Sequence, residues 1–243
     1  MTLFYAPDIA SSNILSEEES QHCTKVLRLK VGETVHLIDG KGGLYTAQIT
    51  VAHPKKTEVE VTNVIHDFEK RPFRLHLAVA PTKNSDRFEW FVEKATEIGF
   101  DELTPLLCHY SERKIIKPER IEKILISAAK QSLKAYTPKL NPICPFAEFM
   151  QRNLGKNRYI AHCYDSEKQE LATICQTNED VVIMIGPEGD FSLEEVALAT
   201  RNGFQNVALG NSRLRTETAA LVACHTVTVV NSLAQTAKFI KDK

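Results

Sequence analysis

The chain has 243 residues, is 43% hydrophobic and carries a formal net charge of −1. That length allows one large domain or two small ones, and the near-neutral balance excludes a protein that coats nucleic acid indiscriminately. No apolar run approaches the roughly 18 residues of a membrane span, and the opening Met1-Thr2-Leu3-Phe4-Tyr5 lacks the basic and apolar regions of a secretion signal.

The six cysteines, Cys23, Cys108, Cys144, Cys163, Cys175 and Cys224, are scattered without a C-x-x-C pair. Reduced thiols in a cytoplasmic protein explain them better than disulfides or a metal site, so no metal is expected.

The first seventy residues read as β-rich around one helix. Ser16 and Glu19 match a capping box, and the helix they open is expected to reach about Val26. Residues 34–38, 44–51 and 57–65 cluster β-formers, with Gly40-Lys41-Gly42-Gly43 as a hairpin turn rather than a phosphate loop. A small barrel closes such strands without exposed edges. Glu69-Lys70-Arg71-Pro72 then interrupts the pattern and marks a boundary near 68–73, dividing the chain into domains 1–70 and 73–243.

Beyond the boundary the rhythm becomes strand then helix. Residues 75–80, 103–108, 159–163, 181–185 and 206–209 are short apolar runs suited to buried parallel strands. Helices are expected over 86–98, closed by Gly99, and over 193–202, opened by a Ser192–Glu195 capping box and closed by Gly203. The alternation implies an α/β domain with a mainly parallel sheet. Between 110 and 140 basic residues outnumber acidic ones, with Arg113, Lys114, Lys117, Arg120 and Lys123 among them; a phosphate-contacting patch and a solvated helix face explain this equally well.

Two glycine-containing loops follow the last strands: Ile185-Gly186-Pro187-Glu188-Gly189-Asp190-Phe191-Ser192, and Leu209-Gly210-Asn211-Ser212-Arg213-Leu214-Arg215-Thr216-Glu217-Thr218-Ala219-Ala220. In open α/β sheets, ligands bind outside the carboxyl ends of the strands, where these loops lie. Either alone reads as a tight turn capping a helix, with Thr216 as N-cap and Glu217 as a favourable charge. The pair, so close in sequence and with two arginines in the second, points to a site, and neither fits the dinucleotide pattern.

G-P-E-G-x-F-S and L-G-x-x-x-L-R-T-E-T-A at this spacing resemble the 16S ribosomal-RNA uracil-N3 methyltransferase family of the SPOUT superfamily. The resemblance runs the length of the chain. His22 with residues 26–33 resembles that family's N-terminal PUA-like barrel motif; Lys83, Arg87 and Glu93-Lys94-Ala95-Thr96-Glu97-Ile98-Gly99 resemble the opening of its catalytic domain. The resemblance implies a PUA-like barrel followed by a trefoil-knotted SPOUT α/β methyltransferase domain. It also implies S-adenosylmethionine held bent by the knot loops, a homodimer in which two subunits form each active site, and 16S rRNA of the 30S subunit as substrate.

Carried over by position, Gly186, Glu188, Gly189, Leu209, Gly210, Leu214, Thr216 and Ala219 become cofactor-loop candidates, and residues 159–165 the preceding knot strand and loop. His22, Arg28, Lys30, Lys83, Arg87 and Arg213 become RNA-contact candidates. Uracil N3 must lose a proton before it attacks a methyl group, so a fixed positive charge assists the reaction. Arg215 is the candidate for that charge, and Glu217 for the proton acceptor or for a capping role. Three positions depart from the family pattern: Asp190 stands at a usual glycine, Ser212-Arg213 replaces arginine plus an aliphatic residue, and Lys130-Gln131-Ser132-Leu133-Lys134 replaces a Glu-Gln-Ser-Gly-Arg run. Competing expectations are methylation at another RNA position, such as a ribose 2′-hydroxyl, and a ribosome-assembly binding protein with a vestigial pocket.

Overall fold

The computed structural model describes residues 2–241. Its elements in chain order are β1 (Leu3–Tyr5), α1 (Glu17–Gln21), a π-helical turn (His22–Val26), β2 (Thr34–Ile38), β3 (Leu44–Val51), β4 (Glu58–Ile65), β5 (Leu75–Val79), α2 (Ser85–Ile98), β6 (Glu102–Leu107) and α3 (Pro118–Gln131). There follow β7 (Lys139–Leu140), β8 (Cys144–Pro145), α4 (Phe146–Phe149), β9 (Asn157–Ala161), β10 (Gln169–Glu170), α5 (Leu171–Ile174), β11 (Val181–Ile185), α6 (Leu193–Arg201), β12 (Gln205–Ala208) and α7 (Thr216–Lys241). Among the described residues no helix is long and apolar enough to cross a membrane.

Two compact units emerge. The first holds the chain up to Lys70 together with Leu125–Thr137. Its sheet has the order β1-β2-β3-β4, with β1 parallel to β2 and the rest antiparallel. Register shifts in β3 at Thr46/Ala47 and Ile49/Val51 bend the β3–β4 ribbon. Phe4, Leu15, Cys23, Leu37, Ile49 and Val59 form its core. Ser16 caps α1 by accepting the Glu19 N–H at 3.2 Å. The helix reaches Val26 as expected, but its last five residues widen into the π form, with Leu27 N–H reaching His22 O at 2.9 Å.

The contribution of 125–137 had no signal in the local sequence. Its Lys130 Nζ lies 2.5 Å from Glu19 Oε1, a carboxylate that also accepts the Tyr5 N–H at 3.1 Å. Lys130, a departure from the family run, thus has a counter-charge inside this unit. Leu133, which stands at that run's glycine, has φ 59° and closes α3 in a Schellman motif: Lys134 N–H bonds Ala129 O at 2.9 Å and Leu133 N–H bonds Lys130 O at 3.3 Å.

The second unit, Arg71–Ile124 with Pro138–Lys243, is α/β. Its sheet runs β10-β12-β9-β11-β5-β6-β7, with β8 also on β6, and every pairing is parallel. Such a sheet is covered on both faces, which is why all five residues of β11 are buried and apolar. Ala78, Leu106, Ile160, Met184, Phe191 and Phe204 belong to the core on one side, while α7 packs on α2, β5 and β11. The Ser192–Glu195 capping box forms as the sequence predicts. The expected strands appear shifted by one or two residues, which is ordinary at element ends.

Candidate functional site

The sheet order decides the site. β12, β9 and β11 are neighbours although they are not consecutive in sequence. Their carboxyl ends therefore deliver three loops to one place: 162–168 after β9, 186–192 after β11 and 209–215 after β12. Together with the head of α7 they enclose a cavity of about 780 Å³, within the usual size range of small-molecule sites. Ala161, Ile185, Val207, Leu209, Leu214 and Ala219 give it an apolar floor suited to a flat ring, and Glu188, Asp190, Lys168, Arg213 and Arg215 bring charge.

All eight cofactor-loop candidates, Gly186, Glu188, Gly189, Leu209, Gly210, Leu214, Thr216 and Ala219, lie in this wall, as do Arg213 and Arg215. The two arginines are exposed. Glu217, Lys83 and Arg87 are not in the wall. Glu217 is 7% exposed and turns toward α2, where its Oε1 sits 3.9 Å from Arg87 Nε while Oε2 has no hydrogen-bond partner. Lys83 is tied down twice, its N–H donating to Glu188 Oε1 at 2.9 Å and its Nζ lying 2.7 Å from Glu112 Oε2. His22, Arg28 and Lys30 belong to the first unit. There His22 packs 5.7 Å from the Phe4 ring, Arg28 adopts φ 57° and the Lys30 N–H meets Glu33 at 2.5 Å.

The glycines are explained by different constraints. A Cβ on Gly186 would come within 3.0–3.1 Å of the buried Phe191 ring and its backbone N, and one on Gly189 would sit 2.9 Å from Tyr110 Cβ. These two are small because protein packs against them. Gly210 has φ 94° with nothing within 4 Å of its would-be Cβ, so backbone conformation demands glycine there. Its N–H donates to Glu170 Oε2 at 3.0 Å, joining the β12 loop to β10.

Asp190, the departure at a glycine position, has φ 66°. Aspartate tolerates the left-handed region better than most residues, and here its side chain is used. Oδ2 accepts the Cys163 N–H at 2.7 Å and Oδ1 accepts the Phe191 N–H at 2.8 Å, so one residue ties two of the three loops together.

The family resemblance takes in residues 159–165 as the strand and loop that precede the two glycine loops, but it singles out no residue there. Lys168 Nζ donates to His162 O at 3.0 Å and Tyr164 O at 2.7 Å, curling the loop around its ammonium, and Tyr164 OH donates to Phe191 O at 2.7 Å. His162 is 8% exposed and lines the cavity, and the Asn206 side chain faces its ring. Burial, aided by Lys168, pushes its pKa down, so the ring is neutral at pH 7 and offers one donor and one acceptor. No pattern in the chain marked these residues, because they meet only through the sheet order.

Comparison with known proteins fits this geometry. Residues 69–228 match the family described as RNA methyltransferase domain, and residues 15–62 match the RNA methyltransferase PUA domain. A fully parallel α/β unit with a ligand cavity over three adjacent strand ends thus carries an RNA methyltransferase domain. The chain is 30% identical over 233 residues to ribosomal RNA small subunit methyltransferase E of Synechocystis sp., covering 91% of this chain and 75% of that one. A probable rRNA-methyltransferase from Porphyromonas gingivalis superposes with TM-score 0.91 at 40% identity, covering 96% and 100% of the two chains. Methyltransferase E from Neisseria gonorrhoeae, solved bound to S-adenosyl methionine, superposes with TM-score 0.83 at 29% identity, covering 95% and 98%. The chain belongs to the ribosomal RNA small subunit methyltransferase E family.

Proposed function

We propose that this chain methylates N3 of one uridine in the decoding region of 16S rRNA, acting on the 30S subunit in the cytoplasm and taking its methyl group from S-adenosylmethionine. The observation that carries the reading is the single cavity built by the β9, β11 and β12 loops, with two arginines on its wall. The donor set suits the cofactor: an apolar floor for adenine, carboxylates for an ammonium, cations for a carboxylate, and a neutral imidazole in the wall.

The domain at 1–70 is read as a PUA-like barrel that grips folded RNA through His22, Arg28 and Lys30. The domain at 73–243 is read as a SPOUT catalytic domain whose last strands form a trefoil knot, paired with a second copy in a homodimer. Gly186, Glu188, Gly189, Leu209, Gly210, Leu214, Thr216 and Ala219 hold the cofactor; Lys83, Arg87 and Arg213 meet RNA. No metal is needed.

The bound cofactor supplies a methyl group on a cationic sulfur. The chain's own task is to make a weakly acidic ring nitrogen nucleophilic and to align it. Arg215, exposed on the wall, stabilises the uracil anion as the N3 proton leaves. Glu217 serves as acceptor of that proton or, through Arg87, orders the head of α7; its burial beside Arg87 favours the ordering role.

Nucleoside mass spectrometry of small-subunit RNA from a deletion strain tests the reading. Loss of 3-methyluridine, restored by the purified protein and S-adenosylmethionine, is expected. Loss of a ribose-methylated nucleoside instead, or of none, overturns it.

A further inference from the structure

Beside the cavity lies a feature that the proposed reaction does not yet use. Tyr110 sits on the irregular segment after β6 and is 48% exposed, high for a large aromatic. Its root is not loose. Tyr110 Cβ presses where a Cβ on Gly189 would be, 2.9 Å from it, so the absence of a side chain at Gly189 is what lets the tyrosine seat on the cavity loop.

The segment around it is pinned on both sides. The His109 N–H donates to Glu195 Oε1 at 2.8 Å, the carboxylate that also caps α6. The Cys108 N–H meets Ser111 Oγ at 3.0 Å, and Arg113 Nε donates to Thr82 O at 3.0 Å. The His109 ring meets the Tyr110 ring edge-on at 4.6 Å and 86°, fixing the phenol from one side. The result is an aromatic residue seated at its root against the Gly186–Asp190 loop, with about half of its surface open to solvent.

Lys114 and Lys117 come four and seven residues later on the same segment, both exposed and without an ion pair among the described residues. An exposed aromatic ring is a platform for an unpaired base, and cations further along the same segment can meet the phosphates of a strand that runs past it. A base whose N3 takes a methyl group must leave any stack or pair to enter the cavity, and something must hold it or the neighbour it leaves behind.

Resting on the function proposed above, we propose that Tyr110 is a positioning residue that stacks an unpaired RNA base at the mouth of the cofactor cavity, presenting the target uridine to the methyl group. The test compares Tyr110→Ala and Tyr110→Phe in single-turnover methylation of unmodified 30S subunits, with S-adenosylmethionine affinity by calorimetry and sedimentation alongside. Alanine keeps the Cβ that meets Gly189, so cofactor affinity and oligomeric state stay parental. Loss of one stacked base lowers the methylation efficiency about 5- to 150-fold, and Tyr110→Phe, which keeps the ring, restores most of it. Parental efficiency in Tyr110→Ala overturns the proposal. So does equal loss in both variants, which assigns the role to the hydroxyl. Weakened cofactor binding would make Tyr110 a prop for the loop, and a changed sedimentation coefficient would make it a contact between copies; either overturns the proposal. An inactive parental protein fails the proposed function itself, which separates the two.

Discussion

Glu217 Oε1 lies 3.9 Å from Arg87 Nε, and this pair links the first turn of α7 to the first turn of α2. Glu217 is almost fully buried and Arg87 about half exposed, so removing the cation leaves a buried carboxylate without its counter-charge, and its Oε2 already lacks a hydrogen-bond partner. Arg87→Ala is therefore expected to destabilise the protein by about 1–3 kcal/mol, the cost of an unsatisfied buried polar group. Glu217→Gln removes the charge and keeps the shape, so it should cost less. Urea unfolding of both variants checks the order. If Glu217→Gln unfolds at a lower midpoint than Arg87→Ala, the pair does not organise the two helices.

Gly186→Val tests how the cavity loop is packed. Its added methyls meet the buried Phe191 ring and backbone, with a Cβ already at 3.0–3.1 Å. The variant should lose stability as well as cofactor affinity, by about 1–3 kcal/mol as in other overpacked cores. Differential scanning calorimetry without cofactor isolates the effect. An unchanged melting temperature would mean that the loop yields freely and that the glycine serves ligand approach alone.

Ser192, Lys130 and the loop after β9 mark how far the sequence is legible. Ser192 was legible as an N-cap because capping depends on residues three apart, and its box forms with Glu195. The apolar runs behind β5, β6, β9 and β11 were legible because a strand buried on both faces must be apolar throughout. Lys130 was legible only as an anomaly, since its partner Glu19 is 111 residues away. Likewise nothing local told that β12 would lie beside β9 rather than β11, and that order is what gathers His162, Lys168 and Asp190 around one cavity. The glycine loops were readable as a site from their motifs; in the loop after β9 the resemblance marked the segment 159–165 without pointing to His162 or Lys168.

Leu133 makes the anomalous run testable. It holds φ 59° at the left-handed position of the Schellman motif that closes α3, where glycine carries no steric penalty. Leu133→Gly relieves a strain of roughly 1–2 kcal/mol and returns part of it through the freer unfolded chain, about 0.4–1 kcal/mol. A net gain near 1 kcal/mol in urea unfolding is expected. A loss of stability would show that the Leu133 side chain contributes more by packing than its backbone costs.

His76 sets an acid limit on stability. Burial pulls its pKa down to about 4, with Arg152, Arg74 and Lys139 adding to the fall and Glu102 opposing it. The folded pKa thus lies below the ordinary 6.5 of the unfolded chain, so protons bind the unfolded state more readily between those values. Its contribution is fully present above pH 6.5 and is lost as pH falls toward 4. His76→Gln keeps a group able to meet Thr104 Oγ1, which His76 Nε2 contacts at 2.7 Å, and does not titrate. Between pH 7 and pH 5 the urea midpoint of this variant should fall less than that of the parent. Parallel declines would remove His76 as the source.

Arg215 bears the sharpest prediction about the reaction. It lines the cavity, is exposed and has no ion pair among the described residues, so no internal partner competes for its guanidinium. If it stabilises the uracil anion, the interaction strengthens as the N3 proton leaves, and its loss lowers the chemical rate more than binding. Removing a preorganised charge contact of this kind costs about 2.7–4 kcal/mol, or roughly 100- to 1,000-fold in rate. Arg215→Ala should bind S-adenosylmethionine almost normally and methylate unmodified 30S subunits very slowly. Arg215→Lys should recover only part of the rate, because a flexible ammonium does not reproduce a planar fork. Raising the pH should narrow the gap, since more of the uracil is then already deprotonated. Single-turnover methyl transfer across a pH series, with cofactor and RNA saturating, measures all three. A variant that transfers methyl at the parental rate removes Arg215 from the mechanism, and one that fails only to bind cofactor makes it a residue of the pocket wall.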